Sequence, residues 1–394
     1  MRFLAKLFCW LVWPVVAAVL AFLIWAIVLS AKGQSVFDRL LPAKQAQPAC
    51  WSFIEISDLH AGSYLAGNEF TNTVNSIISN AASWNLKFLV SAVDLYEQTE
   101  PTNWYTPQFQ QLTMVGDWMT NQLWRLRHAG ISVMCVPGNH DSDYTNSVGI
   151  GTNIVYWNNV FGTAWQAGDA DFYSNEFTGD TRNCAYKVVV GTSKFLFIGM
   201  RWIDNYNTND VQNGGLMQGF ANTNEMVAAY QPEVNWFSNV AAANPDCYVV
   251  AVTHFFTDQN GQPTWWQIGG GSYTNEGPGF LLWNAVATLP NSLMVLCGHV
   301  TPTPLTVTPL TANDGHKVTA IKFNTQSSPT DANTSLRMAN GEAFCLYTVY
   351  PASHVVWCRI YDSTLGRFLN PGEWASLQSN GAGIQTTLWT QPLQ

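Results

Sequence analysis

The sequence predicts an α/β fold of layered sheets, on three observations. Short apolar runs of strand length alternate with stretches of helical periodicity. Five of those runs end in Asp, Asn or His side chains. The composition is that of a folded globular chain, 47% hydrophobic and only 11% charged, with nothing in it that suggests disorder.

In chain order, Arg2 and Lys6 precede an uncharged run over residues 7–31 that Lys32 ends. The run exceeds the ~20 apolar residues a helix needs to cross the hydrocarbon core. It is also longer than the ~7–15-residue apolar centre of a cleavable signal. A retained signal anchor (a transmembrane helix) is therefore expected over 1–31, with Pro14 tolerated inside it. The following body is expected outside the cytoplasm, in the periplasm or beyond the cell, tied to the membrane by this helix. A polar tether over 32–50, one domain over 51–365 and a C-terminal tail over 366–394 complete the expected organisation.

Buried strands are expected at 52–56, 88–93, 131–136, 248–252 and 292–297. A helix is expected over about 68–84, carrying Phe70, Val74, Ile77, Ile78 and Ala81 at helical spacing. A second is expected over about 107–128, with Leu112, Val115, Trp118, Met119 and Leu126. One hairpin is expected at 186–200, turning at Gly191-Thr192-Ser193, and another at 342–361.

The formal charge is -9, from 17 Lys and Arg against 26 Asp and Glu. Such a surface repels phosphate backbones, so dedicated nucleic-acid binding is not expected. A small phosphate ester remains open, because a bound metal inverts the local field. The 8 cysteines contain no C-x-x-C pair, and with Cys9 in the anchor an odd number remains, which is no disulfide framework. Cys345 and Cys358 flank Pro351-Ala352-Ser353 almost symmetrically, so a hairpin could set them face to face; two buried thiols fit equally well.

The five strand candidates end, in order, at Asp58-Leu59-His60, Asp94, Gly138-Asn139-His140-Asp141, His254 and Gly298-His299. Ligand sites of open α/β sheets lie beyond the carboxyl ends of the strands. Carboxylate, amide and imidazole together suit Mn, Fe, Zn or Ni. A bridging carboxylate can hold two ions ~3.5–4 Å apart, and a nearby imidazole can protonate a leaving alkoxide. Taken singly, each of these residues is a turn, cap or core residue; five in order at strand ends favour a metal site.

Together these motifs resemble the ordered set of the calcineurin-like metallophosphoesterase superfamily, over about 51–361. The stretch before His254, with Trp236 and Asn244-Pro245-Asp246, and the segments 344–350 and 354–361 resemble extracellular bacterial members. The resemblance implies a four-layer α/β/β/α sandwich. It implies hydrolysis of phosphate mono- or diesters by a metal-bound hydroxide at a dinuclear centre, with a small phosphoester as substrate. Asp58 and His60 would bind the first metal, Asp94 would bridge, and Asn139, His254 and His299 would bind the second. His140 would contact phosphate or donate a proton, and Asp141 would orient a neighbour. The implied cofactors are two divalent ions (Mn, Fe or Zn), or one only.

Two positions depart from the family pattern. Thr301 stands where a second His of G-H-x-H would ligate the first metal, and Val93 stands where Gly usually precedes the bridging Asp. A water, a backbone carbonyl or His316 could fill the gap at Thr301. The alternative reading is a catalytically impaired binding module with a weakened first metal site. The intact Asn139-His140-Asp141 speaks against it. Gly269-Gly270-Gly271 lacks a following Lys and is no P-loop.

Overall fold

The computed structural model describes residues 50–59, 69–91, 119–138, 157, 161–177, 180–201, 223–258, 260–264, 279–299, 305–324 and 343–369. Its elements in chain order are β1 (Trp51–Ile56), α1 (Glu69–Trp84), β2 (Leu86–Ser91), α2 (119–128) and β3 (Ser132–Cys135). Next come α3 (Thr163–Ala167), β4 (Phe172–Phe177), β5 (Asp180–Val190), β6 (Ser193–Met200), α4 (Thr223–Ala242) and β7 (Tyr248–Thr253). Then follow α5 (Gly279–Val286), β8 (Ser292–Cys297), β9 (Leu305–Thr311), β10 (Lys317–Phe323), β11 (Ala343–Tyr350), β12 (Val355–Asp362) and β13 (Arg367–Phe368).

The strands form two sheets. The first has six, in the order β13-β12-β11-β1-β2-β3; the second has seven, in the order β4-β5-β6-β7-β8-β10-β9. β1, β2 and β3 are parallel, as are β6, β7, β8 and β10. Hairpins add antiparallel strands at the flanks. The expected five strands divide between two sheets, three in the first and two in the second.

Residue parity sorts the apolar side chains into three cores. Trp51 and Phe53 of β1 face between the sheets, against Phe195 and Phe197 of β6 and Val250 and Val252 of β7. The alternate residues Ile54 and Ile56 pack with Phe70, Val74 and Ile77 of α1 and Leu123 and Leu126 of α2. On the far side, Leu196, Val249 and Val295 meet Phe237 of α4 and Leu282 of α5. The layers thus run α/β/β/α. Burial on both faces is why the central strands read as continuous apolar runs rather than alternating ones.

Aromatic packing sets the inter-sheet spacing. Phe53 stacks on Tyr347 at 4.6 Å and meets Phe197 edge-on at 5.1 Å. Gly199 marks the tightest approach: a Cβ there would lie 2.4 Å from Met134 Cε and 2.5 Å from Val136 Cγ2. α2 is fixed by Arg127, whose Nε and Nη2 bind Asp169 Oδ2 at 3.2 and 3.1 Å. Its guanidinium lies 3.7 Å from the centre of the Trp165 ring.

Several elements escape the sequence reading. β4, β9, β10, β13, α3, α4 and α5 carry weak or broken periodicity: β9 holds Pro309, and α4 holds Pro232 in its interior. β13 and the Leu369 N–H bond to the Ile360 carbonyl extend the sheet past the expected boundary at 365, because a two-residue edge strand leaves no pattern. Of the two readings left open for Cys345 and Cys358, the structure has the buried thiols. Cys345 stands opposite Ile360 and Cys358 opposite Tyr347, and both thiols are free and buried. The two side chains sit diagonally across the hairpin, and Cys358 is close enough to help push the Cys345 thiol up. The expected anchor at 1–31 lies outside the described residues; among those described, no helix is long and apolar enough to cross a membrane.

The inter-sheet core also holds an acid. Glu55 of β1 is fully buried, accepts a hydrogen bond from Tyr347 Oη, and has no partner at Oε1. Burial raises its carboxyl well above the ordinary range of a glutamate, the Tyr347 bond pulls it down in part, and Asp58 adds to the rise. The folded chain therefore holds a proton that the unfolded chain releases above about pH 4.5. Stability falls as pH rises from there toward the folded-state value. Glu55→Gln removes that slope: denaturant midpoints of wild type and variant should be close at pH 5 and should diverge by pH 8, with the variant more stable. Parallel curves across that range would refute a neutral Glu55. Alkylation of the denatured, unreduced protein should label both Cys345 and Cys358; a linked peptide pair would overturn the free thiols described here.

Candidate metal centre

The parallel strands of both sheets present their carboxyl ends on one side, and the described part of the centre forms where those ends meet. β1 runs out at Ser57-Asp58, β7 at His254 and β8 at Gly298-His299. Asp58 and His254 are fully buried. The His299 backbone N–H donates to Asp58 Oδ2 at 3.0 Å and Oδ1 at 3.2 Å, joining residues 241 positions apart. Ser57 Oγ donates to Asp58 Oδ2, and the Gly298 N–H donates to the His254 carbonyl at 2.9 Å.

This junction needs unusual backbone. Asp58 has φ 51° and His299 has φ 66°, both left-handed. Such conformations cost about 1–3 kcal/mol each and gather at functional sites. Gly298 is needed for room: a Cβ there would sit 2.0 Å from Ser57 Oγ and 2.1 Å from Asp58 Oδ2.

His254 Nε2 and His299 Nδ1 stand 2.9 Å apart, with ring planes at 73°. Phe255 packs on the His299 ring at 4.7 Å. Two imidazole nitrogens bound side by side to one ion at ~2.0–2.1 Å would be separated by about 3 Å. The pair fits a shared cation; without one, the same spacing is an N–H···N hydrogen bond between the rings. Among the described residues no group of three or more His, Cys, Asp or Glu side chains is placed to hold a metal. The two imidazoles are a partial donor set, of a type that suits borderline divalent ions. His60, Asp94, Asn139, His140 and Asp141, with Val93 and Thr301, lie outside the described residues.

Lys322 is a buried cation nearby. It stands opposite Cys297 of β8 in the parallel register and is fully buried. Burial lowers its ammonium to about 8, against the opposing pull of Cys297, Asp58 and Asp258. Sequence reasoning passes over this residue because it lies in a strand that leaves little pattern.

His316 does not reach the centre. Its Nδ1 meets Asp314 Oδ1 at 2.5 Å, and its Nε2 lies 3.0 Å from both Ser292 Oγ and the Ser292 carbonyl. Ser292 begins β8, whereas His299 follows its end, so His316 is at the opposite edge of the sheet and cannot stand in for a ligand lost at Thr301. Nor is this a nucleophilic serine. Its Oγ donates to the Leu289 carbonyl at 2.9 Å, and the residue is 4% exposed.

A family model described as calcineurin-like phosphoesterase matches residues 52–321, more than half the chain. The comparison with curated proteins finds no match. Among solved structures, the chain is similar to GAP50, the anchor in the inner membrane complex of Plasmodium. That match has 12% identity and a TM-score of 0.40, over 87% of this chain and 100% of that one. It is also similar to phosphopantetheinyl hydrolase from Mycobacterium tuberculosis, with 15% identity and a TM-score of 0.39, over 77% and 97% of the two chains. A cold-active protein tyrosine phosphatase shares 13% identity at a TM-score of 0.31, over 81% and 80%.

Gly298→Ala forces a methyl group into Ser57 and Asp58. Overpacking of this kind costs about 1–3 kcal/mol. The expected result is a destabilisation of that size, read by chemical denaturation, together with weaker Mn²⁺ binding by calorimetry. Unchanged stability and metal affinity would show that the junction yields without consequence.

Proposed function

The chain belongs to the calcineurin-like phosphoesterase family, and from that premise we propose that it is a metal-dependent hydrolase of phosphate mono- or diesters with a dinuclear centre. The observation that carries this reading is the 2.9 Å approach of His254 Nε2 to His299 Nδ1 beside the buried Asp58 carboxylate. Asp58 and His60 would hold one ion, Asp94 would bridge, and Asn139, His254 and His299 would hold the other. When bound, divalent ions supply Lewis-acid polarisation of the ester oxygens and an acidic water at neutral pH.

The protein's own groups do the rest. The His299 N–H and Ser57 Oγ–H fix the Asp58 carboxylate, so its orientation is set before any ligand arrives. Phe255 and the buried ends of β7 and β8 keep water from the back of the imidazole pair. His140 would give its proton to the leaving alkoxide, and Asp141 would hold His140 in the right orientation. We further propose that the apolar run over 7–31 anchors the protein in a membrane with this domain outside the cytoplasm.

The test is hydrolysis of bis-p-nitrophenyl phosphate and p-nitrophenyl phosphate by the full-length protein in detergent, beside a p-nitrophenyl carboxylic ester. Turnover of a phosphoester should require Mn²⁺, stop with chelator, and fall at least ~100-fold in Asp94→Ala or His254→Ala. Turnover of the carboxylic ester alone would move the reading to another hydrolase. Silence with every divalent ion, from folded protein, would favour the binding module.

A further inference from the structure

The domain's first strand starts at the edge opposite the metal centre. β1 begins there with Trp51, and the chain reaches Asp58 at the other end. Thr348 of β11 stands opposite Ser52 on one side and Trp357 of β12 on the other, so Trp357 lies abreast of the second residue of β1. The Trp357 side chain is 39% exposed. Arg359, two residues along the same strand and so on the same face, is half-buried. Cys50, which precedes β1, is close enough to act on its charge.

Arg359 is a cation without an acid. Its guanidinium lies 4.5 Å from the centre of the Trp357 ring and 3.8 Å from that of Phe368 on β13. Cation–π contact explains this stacking, but a ring face is no substitute for an oxygen acceptor at the N–H donors. Arg359 Nε is buried and has no hydrogen-bond partner, and among the described residues no carboxylate pairs with the side chain. Burial opposes the charge, and the groups that favour it are Tyr350, Cys358 and Cys50, none of them a carboxylate. A guanidinium stays protonated in proteins, so this charge keeps its desolvation cost until an anion meets it.

We propose that Trp357 and Arg359 form a site for the phosphate group of an anionic phospholipid, and that this edge of the domain meets the membrane surface. The inference rests on the membrane reading of residues 7–31 and adds to it the surface that touches lipid. Only residues 32–49 separate that apolar run from Cys50, the residue beside the pair. Tryptophan and arginine suit a lipid–water boundary, with the ring among the headgroups and the charge at their level. A guanidinium fork matches the oxygens of a phosphate. The formal charge of -9 gives the chain as a whole no attraction for an anionic surface, so the contact has to be local. The metal centre, at the far end of β1, then lies away from the lipid.

The experiment uses the full-length protein reconstituted in vesicles of phosphatidylcholine, alone or mixed equally with phosphatidylglycerol. A photoreactive benzoyl-phenylalanine, which keeps an aromatic ring, replaces Trp357 in one preparation and Leu365 in another. Leu365 is the control because it is 46% exposed and lies in the turn after the far end of β12. After illumination, phospholipid adducts are measured by mass spectrometry. Adducts should form at 357 and not at 365, and should rise about fivefold from the neutral to the anionic vesicles, the effect of one arginine near an anionic surface. Arg359→Gln should remove that rise, and Arg359→Lys, which keeps the charge and loses the fork, should restore part of it. If neither variant folds, the two positions compared in the two kinds of vesicle still decide, because Arg359 is in place there. Equal labelling at 357 and 365, no adduct at 357, or labelling at 357 indifferent to phosphatidylglycerol would overturn the inference. Calorimetric binding of inorganic phosphate that is lost in Arg359→Gln, with no adduct at 357, would make this a free-phosphate site and overturn the lipid assignment. Protein that washes off in alkaline carbonate yet labels at 357 leaves this surface standing without the anchor. Protein that stays in the membrane and labels at neither position leaves the anchor standing without this surface.

Discussion

The backbone amide of His299 bonded to the Asp58 carboxylate closes the two sheets against each other at their carboxyl ends. The rest of the arrangement serves that junction. It requires left-handed backbone at both residues and no side chain at Gly298. Isolated turns seldom hold such conformations; they persist where surrounding structure over-determines them. Here the surrounding structure is a pair of parallel strands, β7 and β8, on one side and β1 between β11 and β2 on the other. The apolar contacts between the sheets keep those strand ends within hydrogen-bonding distance.

Polar groups near the junction follow from the same packing. Glu55, three residues before Asp58, turns inward; burial pushes its carboxyl well up, and Tyr347 Oη donates a hydrogen bond to it. Lys322 is the opposite case: its neighbours Cys297, Asp58 and Asp258 favour the charge that burial opposes. Arg201 and Glu233 repeat the principle at the adjacent strand end, where a buried carboxylate fixes a partly exposed cation. Each buried ionisable group in this part of the molecule either meets a partner or shifts toward its neutral form.

Much of the scaffold is legible in the sequence. β1, β7, β8 and the hairpins of β5–β6 and β11–β12 fall at or near their expected places, because short runs buried on both faces have no other reading. α1 is legible from Phe70, Val74 and Ile77, which recur at helical spacing and pack as a stripe. α4 is not, because Pro232 interrupts it, and neither is β9, whose outward Thr residues dilute the apolar pattern. For Cys345 and Cys358 the sequence leaves a disulfide and two buried thiols open, and the structure has the two thiols. A hairpin turn near the midpoint leaves the pair offset, and a small offset turns opposed side chains into diagonal ones. His316 fails as a ligand because the sequence gives no sign of which end of a parallel strand a loop histidine will join.

The sequence by itself determined the kinds of side chain that end the strands, and their order: Asp58, then His254, then His299. It determined the class of fold as well, since local burial is written in local periodicity. Only the tertiary structure decided that these residues meet. The contact between Asp58 and His299 spans 241 positions, and the register that brings Trp357 abreast of Ser52 depends on which strands neighbour each other in a sheet. Periodicity reports which face of an element is buried, whereas pairing between sheets is set by long-range packing that no window along the chain can contain.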